Sequence, residues 1–185
     1  MGRAKLLLPW ADGTLLEAVL SVWRASRVDA TILVVHPDDH EIARQGTAGG
    51  AHVVIAETPP EDMKASVRLG LRYAEQNWGA KPGDVWMLAP SDVPLASHGV
   101  IDALLAAHDP SDPRVIVPRC GGRRGHPALF PWSMVPEVRG LEPDQGIDEL
   151  LRRHRVKELE VSQSSVLADV DTPEDYRRLR PKEGP

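Results

Sequence analysis

Four short, nearly unbroken apolar runs constrain this chain more than any other feature. Asp29–His36 (DATILVVH), Ala51–Glu57 (AHVVIAE), Asp84–Ala89 (DVWMLA) and Arg114–Pro118 are rich in β-branched residues and bounded by Pro, Gly or Asp. That pattern reads as strands, and its lack of polar–apolar alternation predicts strands covered on both faces. Between them lie segments with helical periodicity. Thr14 and Glu17 have capping-box spacing, and Leu15, Leu16, Val19, Leu20 and Trp23 then mark one helical face ending near Ser26. Asp62–Trp78 carries Met63, Val67, Leu71 and Ala74 at helical spacing, with Gly79 as its stop. Ser97–His108 is a third helix with a serine at its start. Strand and helix in alternation predict an α/β domain with a largely parallel sheet flanked by helices.

Beyond Arg119 the pattern loosens. A Gly-rich segment, Cys120–Pro127, leads to short strands expected at Ala128–Phe130, Val156–Val161 and Val166–Ala168. A helix is expected at Ile147–His154, and a last one opens at Thr172-Pro173. No repeat or linker interrupts the chain, so residues 1–179 read as one domain and 180–185 as a frayed tail. At 185 residues, such a domain buries roughly 70% of its unfolded surface without staples. The 22 basic and 27 acidic side chains give a net charge of −5, which argues against a nucleic-acid surface built on a basic stripe. The single cysteine, Cys120, excludes an internal disulfide framework and any multi-thiolate zinc site, and nothing nearby activates it. Thr31–Val35 and similar runs are too short to cross a bilayer. Pro9, Asp12 and Glu17 interrupt the stretch after the basic start, so no signal peptide is read. The expectation is a cytoplasmic protein with neither nucleic-acid nor membrane partners.

Ligands of open α/β sheets bind beyond the carboxyl ends of the strands. That rule draws attention to Pro90-Ser91-Asp92-Val93-Pro94, where Asp92 follows an apolar strand between two prolines. A carboxylate there suits a hard cation such as Mg²⁺, held with substrate phosphates; it equally suits a turn or a helix cap. Asp169-Val170-Asp171-Thr172 is a second acidic site. Thr172 to Asp175 reads as a capped helix start with Pro173 in the first helical position, but capping leaves Asp169 and Asp171 unexplained. Gly121 to Pro127, with Arg123 and Arg124, is either a solvated hairpin or a loop forking onto phosphates. His36 and His40 have a metal-like spacing, although Pro37 and two aspartates make one continuous helix under both rings a poor expectation. No nucleophile elbow, P-loop or complete dinucleotide fingerprint is present. The five tryptophans read as packing residues.

Taken together, these segments resemble the MobA-like NTP transferases, most closely the molybdenum cofactor cytidylyltransferase branch. Met1–Trp10 (MGRAKLLLPW) resembles the end of the signature L-A-A-G-x-S-x-R-M-G-x-x-K and the stretch beyond it. Met63–Leu71 (MKASVRLGL) resembles the family's Met…Ser…Gly-Leu helix. Leu88–Pro94 (LAPSDVP) resembles L-x-G-D-x-P, with Ser91 in place of Gly. Gly122–Pro127 (GRRGHP) and Asp169–Tyr176 (DVDTPEDY) resemble G-x-x-G-H-P and D-[IV]-D-T-P-E-D.

The resemblance implies a GT-A-like nucleotidyltransferase fold, a Rossmann-like three-layer αβα sandwich with a mostly parallel mixed sheet. The part of the signature before Met1 has no counterpart here. The expectation is therefore a sheet lacking its first strand, with unpaired edges on two interior strands, and a natural start upstream of this methionine. The implied activity is transfer of a nucleoside monophosphate from an NTP, CTP preferred over GTP, to a phosphorylated acceptor such as molybdopterin, with pyrophosphate released. Asp92 and Asp171 would hold Mg²⁺, with Asp169 as the fallback, and Lys5 would reach the triphosphate. Arg3, Ser66, Gly122, Gly125 and His126 would contact substrate. A molybdoenzyme maturation protein would be a transient partner. Two other readings stand beside this one: a non-catalytic nucleotide- or cofactor-binding member without its donor loop, and a sugar-nucleotide enzyme on the same fold.

Overall fold

The computed structural model describes residues 3–94 and 97–180, the side chains of Arg3 and Ala4 excepted. A 3-10 turn, Arg3–Leu7, leads to a two-residue hairpin of β1 (Pro9–Trp10) and β2 (Gly13–Thr14). Helix α1 (Leu15–Ala25) starts on the full capping box expected from Thr14 and Glu17. Strands β3 (Ile32–Val35) and β4 (His52–Ile55) pair in parallel, Ile32 opposite His52, across the crossover helix α2 (His40–Ala48).

The sequence reading has no helix at α2, and Gly46 and Thr47 in it are weak helix formers. Packing outweighs propensity here. Ile42, Ala43 and Gly46 are buried, and a Cβ at Gly46 would stand 2.7 Å from Leu33 Cδ2 and 3.0 Å from Val53 Cγ2. The glycine lets the helix lie directly on the parallel pair.

Helix α3 (Met63–Trp78) is capped by Asp62 and stopped by Gly79 in a left-handed conformation, φ 62°. It is followed by β5 (Val85–Leu88), α4 (His98–Ala107), β6 (Val115–Cys120), β7 (Arg123–Arg124) and β8 (Ala128–Pro131). The chain ends through α5 (Val135–Arg139), α6 (Asp148–Arg153), β9 (Val156–Glu160) and α7 (Pro173–Leu179). The larger sheet is mixed. β8 lies antiparallel between β5 and β6, and β9 adds in parallel to the other side of β6.

Alternate residues of β6 serve opposite faces. Val115 and Val117 join Trp86, Phe130, Val67, Leu71, Val138 and Leu150 under α3, α5 and α6. Ile116 and Leu129 join Val100 and Leu104 under α4. A helical layer on each face of the sheet explains the unbroken apolar strands. No ladder joins β3 to β5: β3 pairs with β4 and β5 with β8 among the described residues.

The strand expected at Val166–Ala168 is instead a 3-10 turn, Ser164–Leu167. Val166 is fully buried against the α4 side of the sheet. The apolar character there reflects one anchored side chain rather than a ladder. Of the expected tail, all but Arg180 lies outside the described residues. Among those described, no helix is long and apolar enough to cross a membrane.

Two basic side chains of α3 tie down the segment between α5 and α6. The buried Lys64 ammonium donates to the carbonyls of Glu142 (2.6 Å), Pro143 (3.0 Å) and Gln145 (2.8 Å). Arg68 donates to those of Val138, Arg139 and Leu141. Lys64→Met would take the ammonium donor from the carbonyls of Pro143 and Gln145 and leave that of Glu142 with Gln145 N–H alone, a cost of about 1–3 kcal/mol for an unsatisfied group. A melting temperature lower by about 2–4 °C per kcal/mol, with faster amide exchange confined first to residues 139–146, is the expected outcome. Unchanged exchange there would show that the lysine does not hold the loop.

Candidate active site

Three chain segments far apart in sequence converge beyond the carboxyl end of β5. The first is the Pro90–Pro94 loop, closed by Val93 N–H donating to Pro90 C=O (3.4 Å), with Val93 buried. The second is the stretch from the Ser164–Leu167 turn to Asp171. Its Val170 N–H donates to Asp92 C=O (3.1 Å), which fixes the backbone of one acidic motif on that of the other. The third is Gly125-His126-Pro127. His126 N–H donates to Val166 C=O (2.8 Å), and a Cβ on Gly125 would meet that same oxygen at 2.3 Å. Only glycine allows so close a backbone approach.

The amino-terminal turn is brought to the same place by α7. Tyr176 donates its hydroxyl hydrogen to Pro9 C=O, and its ring lies 5.9 Å from that of Trp10. Trp10, Leu15 and Val170 form a buried cluster joined by Leu6 and Tyr176. Lys5 is therefore anchored by its neighbours, and its side chain, 15% exposed, reaches to the acidic motifs. Its ammonium donates to Asp92 Oδ2 at 2.5 Å and to Asp171 Oδ1 at 3.4 Å. Burial works against the Lys5 charge, but hydrogen bonds and attraction from Asp92 and Asp171 outweigh it and raise its pKa.

The two aspartates differ in setting. The Asp92 side chain is 17% exposed and that of Asp171 63%, so the Asp92 bond is the stronger contact and Asp171 faces solvent. Asp92 Oδ1 is buried with no hydrogen-bond partner. A buried carboxylate oxygen without a donor is costly and marks a place where a ligand completes the site. His126 is exposed, yet desolvation by the atoms around its ring lowers its pKa. Asp169 and Asp92 pull the other way. The net effect of desolvation is to favour the neutral form of the imidazole beside these acids.

Among the described residues no group of three or more His, Cys, Asp or Glu side chains could alone hold a metal ion. Two carboxylates plus substrate phosphates is nevertheless the usual donor set for Mg²⁺. The bare Asp92 oxygen, with a lysine ammonium resting on its partner, fits that donor set.

The structure thus brings Lys5, Asp92, Asp171, Asp169, Gly125 and His126 together. Other expected residues lie elsewhere. Ser66 sits in the first turn of α3, with no hydrogen bond to Lys5, Asp92 or Asp171 among the described residues. Gly122 is at the tip of the β6–β7 hairpin, at φ 81°. Arg124 there pairs with Glu158, as does Arg119, so the hairpin reading of this loop describes its geometry. The Arg3 side chain lies outside the described residues. His36 follows β3 and His40 opens α2, so no single helix presents both. A recess of about 170 Å³ lined by Leu20, Trp23, Arg24 and Ala51 lies at the amino ends of β3 and β4, away from these carboxylates.

Sequence reasoning missed Tyr176 and Lys64. The lysine had a readable signal, since it occupies the same helical stripe as Val67, Leu71 and Ala74, where a charge needs a buried partner. Tyr176 had none, as its partner is a main-chain carbonyl 167 residues away.

Comparison with known proteins places this geometry. The profile of the MobA-like NTP transferase domain matches residues 1–159, a span that holds Lys5, Asp92 and His126 and stops short of Asp171. The purine catabolism protein PucB of Bacillus subtilis (strain 168) is 29% identical over 190 residues, covering 97% of this chain and 89% of PucB. The crystal structure of Rv0371c from Mycobacterium tuberculosis H37Rv superposes with a TM-score of 0.80 at 30% identity, over 97% of this chain and 90% of that one. Its complex with manganese gives 0.77 at 31% identity, over 97% and 92%. By a match over most of its length, and by a shared fold at 30% identity, the chain belongs to the MobA-like NTP transferase family.

Proposed function

We propose that this protein transfers a nucleoside monophosphate from an NTP to a small phosphorylated acceptor, and that Lys5, Asp92 and Asp171 carry the reaction. The observation that supports this most is the buried, unpartnered Asp92 Oδ1 next to a lysine that bridges two carboxylates. An acceptor phosphate oxygen forms a bond to the α-phosphorus, the bond from that phosphorus to the oxygen bridging the β-phosphorus breaks, and pyrophosphate leaves. A divalent cation, Mg²⁺ in this reading, supplies charge neutralisation on the phosphates when bound. Asp92 and Asp171 hold it, with Asp169 as the neighbouring reserve carboxylate. Lys5 neutralises the charge that grows on the departing pyrophosphate.

His126, on a backbone fixed by Gly125 and with its charged form disfavoured by desolvation, faces the acceptor. Arg3, Ser66 and Gly122 are secondary substrate contacts in this proposal. The rest of the rate comes from orientation, since phosphoryl-type transfers ask little covalent chemistry of the protein. The donor is CTP, with GTP as the competing nucleotide, on the strength of the resemblance at residues 1–10. The acceptor is a pterin phosphate, a cofactor that its maturation partner would collect in the cytoplasm. PucB is named for purine catabolism, so the assay also covers other phosphorylated acceptors.

Pyrophosphate release with Mg²⁺, each NTP and molybdopterin is the test. Release with CTP, above that with GTP, is expected. Asp92→Asn lowers the rate by roughly a hundredfold or more, because the charge stabilisation lost amounts to several kcal/mol. Lys5→Met lowers it by about 10²–10³-fold, as for removal of a transition-state donor. Nucleotide binding without pyrophosphate from any donor and acceptor would favour a binding module instead.

A further inference from the structure

We infer that Lys5 and the divalent cation compete for the same two carboxylates, so that the cation enters with the nucleotide and not ahead of it. The inference rests on the proposed metal role of Asp92 and Asp171. Lys5 Nζ stands 2.5 Å from one carboxylate and 3.4 Å from the other, which is the position a small cation bridging them would take. Mg²⁺ needs oxygens at about 2.0–2.1 Å in a near-octahedral shell, and an ammonium in that space excludes it by both volume and charge.

The local charges point the same way. Asp92 and Asp171 sum to −2 and Lys5 returns +1, so a free cation meets a half-neutralised pair and a like charge. A triphosphate changes both terms. It gives the ammonium a new anionic partner, and it brings oxygens that complete the cation's shell.

The exchange requires little movement. Lys5 lies in the 3-10 turn Arg3–Leu7, and its carbonyl accepts from Leu8 N–H at 3.2 Å. Leu6 and Leu7 next to it pack into the apolar clusters around Leu16 and Leu20, and Leu6 also reaches Trp10 and Leu15. The backbone can stay fixed while the flexible four-carbon stem swings the ammonium away. Only the side chain acts as the switch, and Asp92 Oδ1, buried and unpartnered, stays ready to take the cation.

Titration of the full-length protein with Mn²⁺ alone, followed by the electron paramagnetic resonance of the free ion, tests this without any turnover. Lys5→Met is expected to bind Mn²⁺ roughly tenfold or more tightly than wild type, the scale set by releasing a charge-assisted hydrogen bond. Lys5→Arg, which keeps the positive charge, is expected to stay as weak as wild type. Lys5→Gln serves as the second neutral variant where Lys5→Met fails to fold. Adding Asp92→Asn to the neutral variant should remove the gain. Equal binding by wild type and both neutral variants, with Asp92→Asn still abolishing it, overturns the competition and leaves the metal site standing. No Mn²⁺ binding by any variant overturns the metal role of the carboxylates and this inference together.

Discussion

The hydrogen bond from Val170 N–H to Asp92 C=O is the constraint on which the rest of the site depends. It joins the loop after β5 to a segment that arrives after every strand of the sheet is in place. Because Val170 is fully buried with Trp10 and Leu15, its neighbours Asp169 and Asp171 must point outward on either side of it. One buried residue between two acids thereby leaves Asp171 within reach of the Lys5 ammonium. The same cluster seats the amino-terminal turn and so delivers Lys5.

The fold supplies rigidity where the site needs it. Both faces of β5, β6 and β8 are covered by helices, and the loop holding Asp92 is stiffened by prolines at each end. Gly125 lies against Val166 with no room for a side chain, which sets how near His126 stands to the acids. In the proposed exchange only the long side chain of Lys5 moves. The division suits a reaction whose chemistry is mostly charge neutralisation and alignment: a fixed anionic floor, a movable cation, and an imidazole whose charged form desolvation disfavours.

Much of this was legible in the sequence. The four apolar runs, the capping box at Thr14, the glycine stop at Gly79 and the acidic residues at 92, 169 and 171 all depend on local chemistry, and local chemistry is what a sequence displays. Helix α2 was not legible, because its glycine reads as a breaker until the side chains of Leu33 and Val53 are seen beneath it. The false strand at Val166–Ala168 has the same origin: a β-branched residue can be buried without a ladder. For the β6–β7 hairpin the sequence left a solvated turn and a phosphate-binding loop both open, and the partner that decides for Arg124, Glu158, sits 34 residues beyond it. Side chains whose partners are distant or main-chain groups, such as Tyr176 and Lys64, declare themselves only in three dimensions.

The central claim is that one acidic pair is shared in turn by a lysine and a metal-bound nucleotide. A crystal structure of the protein with Mn²⁺ and a CTP analogue carrying a methylene between the α- and β-phosphorus addresses it directly. The account predicts anomalous density between Asp92 and Asp171, with the Lys5 ammonium moved from both carboxylates onto the phosphates. Manganese bound elsewhere, or Lys5 still seated on Asp92 with the nucleotide in place, would contradict it.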